Sequence, residues 1–159
     1  MIEKAKVFGF DIIYYNRTRL SREEEERLGA RYVSLDDLYR QSDVISLHCP
    51  MTLETHHLIN RDTLAKMKKG VYIINTSRGK VIDETALVEA LESGHVAGAG
   101  LDVFEEEPKV SKKLLSMTNV VLSAHCTAGT RRCERDRITE AAENALSYIK
   151  TGKLISRAT

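Results

Sequence analysis

Short apolar runs alternate with helical stretches along this chain, and that alternation constrains the fold more than any other feature. The runs are Asp11–Tyr15 (DIIYY), Tyr32-Val33, Asp43–His48 (DVISLH), Val71–Asn75 (VYIIN), the glycine-rich Val96–Val103 and Asn119–Leu122. Between them lie a charged helix from Ser21 to Leu28 closed by Gly29, and a helix capped by Ser34 through Tyr39 with Asp37 set for a capping-box-like contact. Further on come Asn60 to Met67 ended by Gly70, and Glu84–Glu92 capped by Asp83 and closed by Gly94. A last helix, Arg131 to Lys150, carries Ile138, Ala142, Ala145, Leu146 and Ile149 at helical spacing. Apolar strands separated by helices predict an α/β fold with a parallel sheet covered on both faces.

Ligands of such sheets bind beyond the carboxyl ends of the strands, so the residues after each strand are the candidates. They are Asn16-Arg17-Thr18-Arg19, then Cys49-Pro50, then Asn75-Thr76-Ser77-Arg78-Gly79, then Asp102 with Glu105-Glu106-Glu107-Pro108, and Ser123-Ala124-His125. One end of the sheet thereby collects an arginine, a carboxylate and a histidine from three loops. Arginine offers a planar fork to a carboxylate. A histidine beside a glutamate can hold a proton near neutral pH. Each residue alone reads equally as surface loop or satisfied core; their order and strand-end placement favour a site.

The bulk properties narrow the partners. A net charge of +1 selects neither nucleic acid nor an anionic membrane, and the run Arg131, Arg132, Arg135, Arg137 reads as a solvated helix face. No stretch approaches the roughly 20 apolar residues of a membrane span, and the N-terminus lacks the apolar run of a secretory signal. Cys49, Cys126 and Cys133 are odd in number and form no C-x-x-C pair, which predicts no disulfide framework, no metal site and a reduced, cytoplasmic setting.

The segments INTSRGKVIDETALVEALESG (Ile74–Gly94), GAGLDVFEEEP (Gly98–Pro108) and NVVLSAH (Asn119–His125) resemble the D-isomer-specific 2-hydroxyacid dehydrogenases, most nearly their glyoxylate and hydroxypyruvate reductases. The resemblance implies an NAD(P)-dependent oxidoreductase that reduces a 2-oxo acid. It implies catalytic roles for Arg78 (substrate carboxylate and carbonyl), Glu107 (partner of the histidine) and His125 (proton donor). It places Asn16, Arg17, Thr18, Cys49, Pro50, Thr55, Thr76, Ser77, Arg78, Asp102 and His125 along the cofactor, and it implies a homodimer. Glu107, absent from the related formate dehydrogenases, argues for a hydroxy acid over formate. After the second strand such folds usually carry an acidic residue on the adenosine ribose, selecting NAD. Asn16 stands there instead, followed by Arg17 and Arg19, so NADP is the expected cofactor.

The chain also departs from the family. It opens inside a helix, at Met1–Phe8, and shows no G-x-G-x-x-G turn. The expected architecture is therefore an incomplete Rossmann-type doubly wound sheet lacking its first strand, with Asp11–Tyr15 and Asp43–His48 left unpaired on their facing edges and the isolated chain marginal in stability. Residues 1–152 read as a partial nucleotide-binding domain and 153–159 as a tail, with no substrate domain. Thr127 stands where a glycine is customary. The alternatives to an enzyme are a non-catalytic remnant and a dehydrogenase-like protein-binding module.

Overall fold

A computed structural model describes residues 1–126 and 129–156. Its backbone forms two compact units, Met1–Leu122 and Ser123–Thr159.

The first unit holds six strands and six helices: α1 (Ile2–Val7), β1 (Ile12–Tyr14), α2 (Arg22–Leu28), β2 (Ala30–Tyr32), α3 (Leu35–Gln41), β3 (Val44–Leu47), α4 (Arg61–Ala65), β4 (Val71–Asn75), α5 (Glu84–Glu92), β5 (Val96–Leu101), α6 (Lys112–Ser116) and β6 (Val120–Leu122). All strand pairs are parallel, in two separate sheets: β1-β2, and β3-β4-β5-β6. The division falls between β1 and β3, the two strands expected to lack a common neighbour. Among the described residues each keeps one partner and one open edge.

Ser34, Asn60 and Asp83 cap their helices as expected, and Ser21, read as the first residue of its helix, is a cap as well. Ser21 accepts from the Glu24 amide, Ser34 from Asp37, Asn60 from Asp62 and Thr63, and Asp83 from Ala86, each taking up N–H groups that a helix start leaves unpaired. Gly29 closes α2 at φ 59, a left-handed conformation that only glycine adopts without cost. Helix α6 and the 3₁₀ turn Gly79–Val81 have no counterpart in the sequence reading. Both are too short for apolar periodicity to register.

Val71 and Ile73 of β4 are fully buried and pack with Ile45 and Leu47 of β3, Ala99 and Leu101 of β5, and Leu87 and Leu91 of α5. Full burial of one such side chain is worth about 1.5–3 kcal/mol. Within the first unit this core lies on one face of the sheet. Val44, Tyr72 and Val121, which alternate with the core residues, are 41%, 51% and 75% exposed. The β4 run is uniformly apolar, so the sequence alone does not reveal which alternate face the helices cover.

The second unit is a short loop and the helix α7 (Arg131–Thr151), begun by Thr130 accepting from the Cys133 amide and closed by Gly152 at φ 70. Its apolar positions Ile138, Leu146 and Ile149 are exposed. The tail turns back on α7, where Asn144 accepts from the Ile155 amide at 2.8 Å and donates to the Ser156 carbonyl at 2.7 Å. Among the described residues no helix is long and apolar enough to cross a membrane.

Candidate functional site

The loop after β4 is shaped by that strand's own last residue. Asn75 is buried; its Nδ2 donates to the Arg78 carbonyl at 2.9 Å, and its Oδ1 accepts from the Ser77 amide at 3.0 Å and the Ser77 hydroxyl at 2.9 Å. A buried amide whose nitrogen and oxygen are both hydrogen-bonded fixes a turn firmly. Arg78 leaves this turn exposed to solvent, its Nη1 donating to the Ser77 carbonyl at 2.7 Å.

Gly79 brings a second loop against the first. A Cβ built on it would lie 1.8 Å from the Phe104 carbonyl oxygen and 2.0 Å from its carbon, so only a residue without a side chain lets these backbones meet. The neighbour is the loop after β5. There the buried Asp102 donates its amide to the Asn75 carbonyl at 3.0 Å, and Glu107 accepts from the Phe104 amide at 3.0 Å through Oε1. The predicted arginine and carboxylate thus sit on two loops in backbone contact. Asn75 and Gly79 stand among the strand-end residues of the sequence reading with no role of their own, yet they build this junction. An asparagine at a strand end three residues before the arginine was the available signal.

His125 belongs to the second unit and has a left-handed backbone, φ 51. Thr127 lies outside the described residues.

The loop after β1 carries the candidate nucleotide contacts. Asn16 accepts from the Arg17 amide at 3.0 Å, and Arg17 and Thr18 are exposed. Arg17 approaches Glu54 at 3.7 Å with both side chains about three-quarters open to water, so this pair holds it weakly. Arg19 is different. Its Nε and Nη2 each lie 2.7 Å from a Glu25 carboxylate oxygen, and its guanidinium stands 5.2 Å from the Tyr32 ring centre. Tyr14 also donates to Glu25, at 2.7 Å. Of the two cations expected to favour NADP, Arg19 is therefore committed to the fold, and Arg17 is the one turned outward.

The Arg19 hydrogen bonds, aided by Tyr14, hold the Glu25 carboxyl down to about 2. A depressed folded value means that the stability from Glu25 is fully present above the ordinary carboxylate range and is lost as pH falls to about 2. Glu25→Gln is accordingly expected to flatten the acid limb of the unfolding free energy over that window while leaving its slope above pH 6 unchanged. Urea titrations across pH check this, and an unaltered acid limb would refute it.

After β3, burial pushes the Cys49 thiol up. Thr55 closes the following turn, donating to the Pro50 carbonyl at 2.6 Å and accepting from the Thr52 amide at 2.8 Å. Thr76 is exposed and Ser77 half-buried. Among the described residues no three histidine, cysteine or carboxylate side chains gather to hold a metal.

The sequence pattern of the D-isomer specific 2-hydroxyacid dehydrogenase NAD-binding domain matches residues 1–127. The chain belongs to this family. It is 48% identical over 159 residues to glyoxylate reductase 1 of Saccharomyces cerevisiae, covering 98% of this chain and 44% of that protein. A glyoxylate reductase crystal structure from Paecilomyes thermophila superposes with a TM-score of 0.91 at 46% identity, over 96% of this chain and 46% of that one. The NADPH-dependent glyoxylate/hydroxypyruvate reductase of Sinorhizobium meliloti, solved with NADP and malonate, gives 0.87 at 32% identity, over 98% of this chain and 48% of that one. The chain thus spans under half the length of these relatives.

Exposed donors that could meet a dinucleotide stand on two loops: Asn16, Arg17 and Thr18 after β1, and Thr76 after β4 beside the half-buried Ser77; Asp102 after β5 is buried.

Proposed function

We propose that the whole protein reduces a small 2-oxo acid, glyoxylate or hydroxypyruvate, with NADPH. The observation that supports this most directly is the packing of the Arg78 loop on the Glu107 loop at Gly79. It brings the loops that carry Arg78 and Glu107 together at the strand ends. In this reading Arg78 holds the substrate's carboxylate and orients its carbonyl. His125 gives a proton to the carbonyl oxygen, and Glu107 stabilises the charged imidazole until that transfer. Bound cofactor supplies the hydride. Thr76, Ser77, Asp102, Cys49 and Pro50 line its nicotinamide side, and Asn16, Arg17 and Thr18 its ribose.

NADPH is favoured over NADH because Asn16 removes the usual repulsion of a 2′-phosphate and Arg17 supplies an exposed cation. An exposed charge pair contributes up to about 1 kcal/mol and a hydrogen bond to a charged group about 1.5–3. Arg17→Ala is therefore expected to weaken NADPH binding on the order of tenfold or more and leave NADH unchanged. Titrating both cofactors by fluorescence, with glyoxylate added afterwards, tests the reading. Equal loss for both cofactors would remove Arg17 from the phosphate, and cofactor oxidation absent with every small 2-oxo acid would overturn the reaction. The small-molecule substrate, a homodimeric assembly and a cytoplasmic setting complete the proposal, with family resemblance as support for the last two.

A further inference from the structure

His57 belongs to none of the groups assigned above, yet it touches both loops of the junction. Its backbone has φ 50, in the left-handed region. Its amide donates to the Lys80 carbonyl at 2.9 Å, two residues past Arg78. The contact continues as a short parallel strap, with the Ile59 amide donating to Val81 at 3.0 Å and the Asp83 amide to Ile59 at 2.8 Å. The His57 ring reaches the other loop. Nε2 lies 2.8 Å from Oε1 of Glu105, two residues before Glu107. Glu105 is itself anchored: its Oε2 accepts from the Glu84 amide at 3.0 Å, and its own amide donates to the Glu84 carboxylate at 3.2 Å. The His56 ring stacks on His57 with centres 4.0 Å apart. The ionisable groups around the His57 ring are thus Glu105, Glu84 behind it, and His56; Lys80 takes part through its backbone.

We infer that His57 is a positioning residue that clamps the Arg78 loop to the Glu107 loop through Lys80 and Glu105, setting the spacing of the two groups for a 2-oxo acid. The inference rests on the reaction proposed above. Neither His57 nor Glu105 needs to touch the substrate. Each acts two residues away from the group it places, on opposite sides of a contact with no room for a side chain. Displacements of about 1 Å in a reacting assembly cost as much as a hundredfold in rate.

The test compares wild type, His57→Asn, Glu105→Ala and the double variant in the whole protein. Asparagine tolerates the left-handed backbone and is too short to reach Glu105, so His57→Asn keeps the strap and cuts the ring bridge. Its kcat/KM for glyoxylate is expected to fall on the order of 10- to 100-fold, with the KM for NADPH within about twofold. The double variant should be no worse than Glu105→Ala, since the His57–Glu105 bond is already absent from the latter. Undiminished kcat/KM, additive losses, or equal losses toward glyoxylate and NADPH would overturn the inference. Hydrogen exchange on the same proteins separates it from the proposed reaction. His57→Asn should speed exchange of the amides at 80–82 and 104–107 together, and unchanged exchange there overturns the clamp whether or not wild type reduces glyoxylate. Wild type inert toward 2-oxo acids, with the paired loosening present, would reject the reaction and keep the clamp.

Discussion

Gly79→Ala is expected to destabilise this chain by about 3 kcal/mol, at the upper end of overpacking costs, which for a chain of this size lowers the thermal midpoint by roughly 6–12 °C. The reason is space and not conformational freedom, because Gly79 is not among the glycines with positive φ. The added carbon would fall 1.8 Å from the Phe104 carbonyl oxygen and 2.7 Å from the Glu105 nitrogen, and both are backbone atoms with no rotamer to change. One loop must move, and either choice separates Arg78 from Glu107. Gly94→Ala is the control. Its φ is 70 but its Cβ would meet nothing, so it should cost only the left-handed penalty of about 1–2 kcal/mol. Differential scanning calorimetry ranks the two. A Gly79→Ala midpoint equal to wild type would mean that the loops do not meet as described.

Arg78→Gln carries the second large effect. In the whole protein it is expected to lower kcat/KM for glyoxylate on the order of 10²–10³-fold, the loss that accompanies removal of one partner from a desolvated, hydrogen-bonded charge pair. NADPH affinity should change by no more than about twofold if, as proposed, the side chain acts on the substrate's carboxylate. Gln keeps one amide donor but is shorter, so the loss combines charge, the bidentate fork and reach. Arg78→Lys should recover only part of the rate, since an ammonium cannot present two parallel donors. Steady-state kinetics with each substrate varied in turn decide the matter. A loss confined to NADPH binding would move Arg78 from the substrate to the cofactor.

Strand order and helix starts were legible in the sequence because each has a local cause. VYIIN is a strand by its β-branched, apolar run, and Asp83 starts α5 by offering its side chain to the Ala86 amide. Arg78, Glu107 and His125 were candidates by their positions after strands and by resemblance, and the structure brings the Arg78 and Glu107 loops into contact. What was not legible depends on long-range contact. Arg19 reads as a cation on a polar loop, and nothing nearby in sequence announces that Glu25 will take it bidentately beside Tyr14. Gly79 reads as a turn residue, whereas its role is to make room for Phe104, which lies 25 positions further along the chain in the numbering. His57 and Glu105 are 48 residues apart and become partners only once β4 and β5 lie side by side.

The break between β1-β2 and β3-β4-β5-β6 divides more than hydrogen bonds. Asn16, Arg17 and Thr18 stand on the smaller sheet, whereas Arg78, Asp102 and Glu107 stand on the larger. The loop after β1 rests on Tyr14, Arg19, Glu25 and Tyr32, whereas the junction at Gly79 rests on Asn75 and the Phe104 backbone, so the two clusters share no side chain. A substitution inside one cluster is therefore expected to add to, and not amplify, a substitution inside the other.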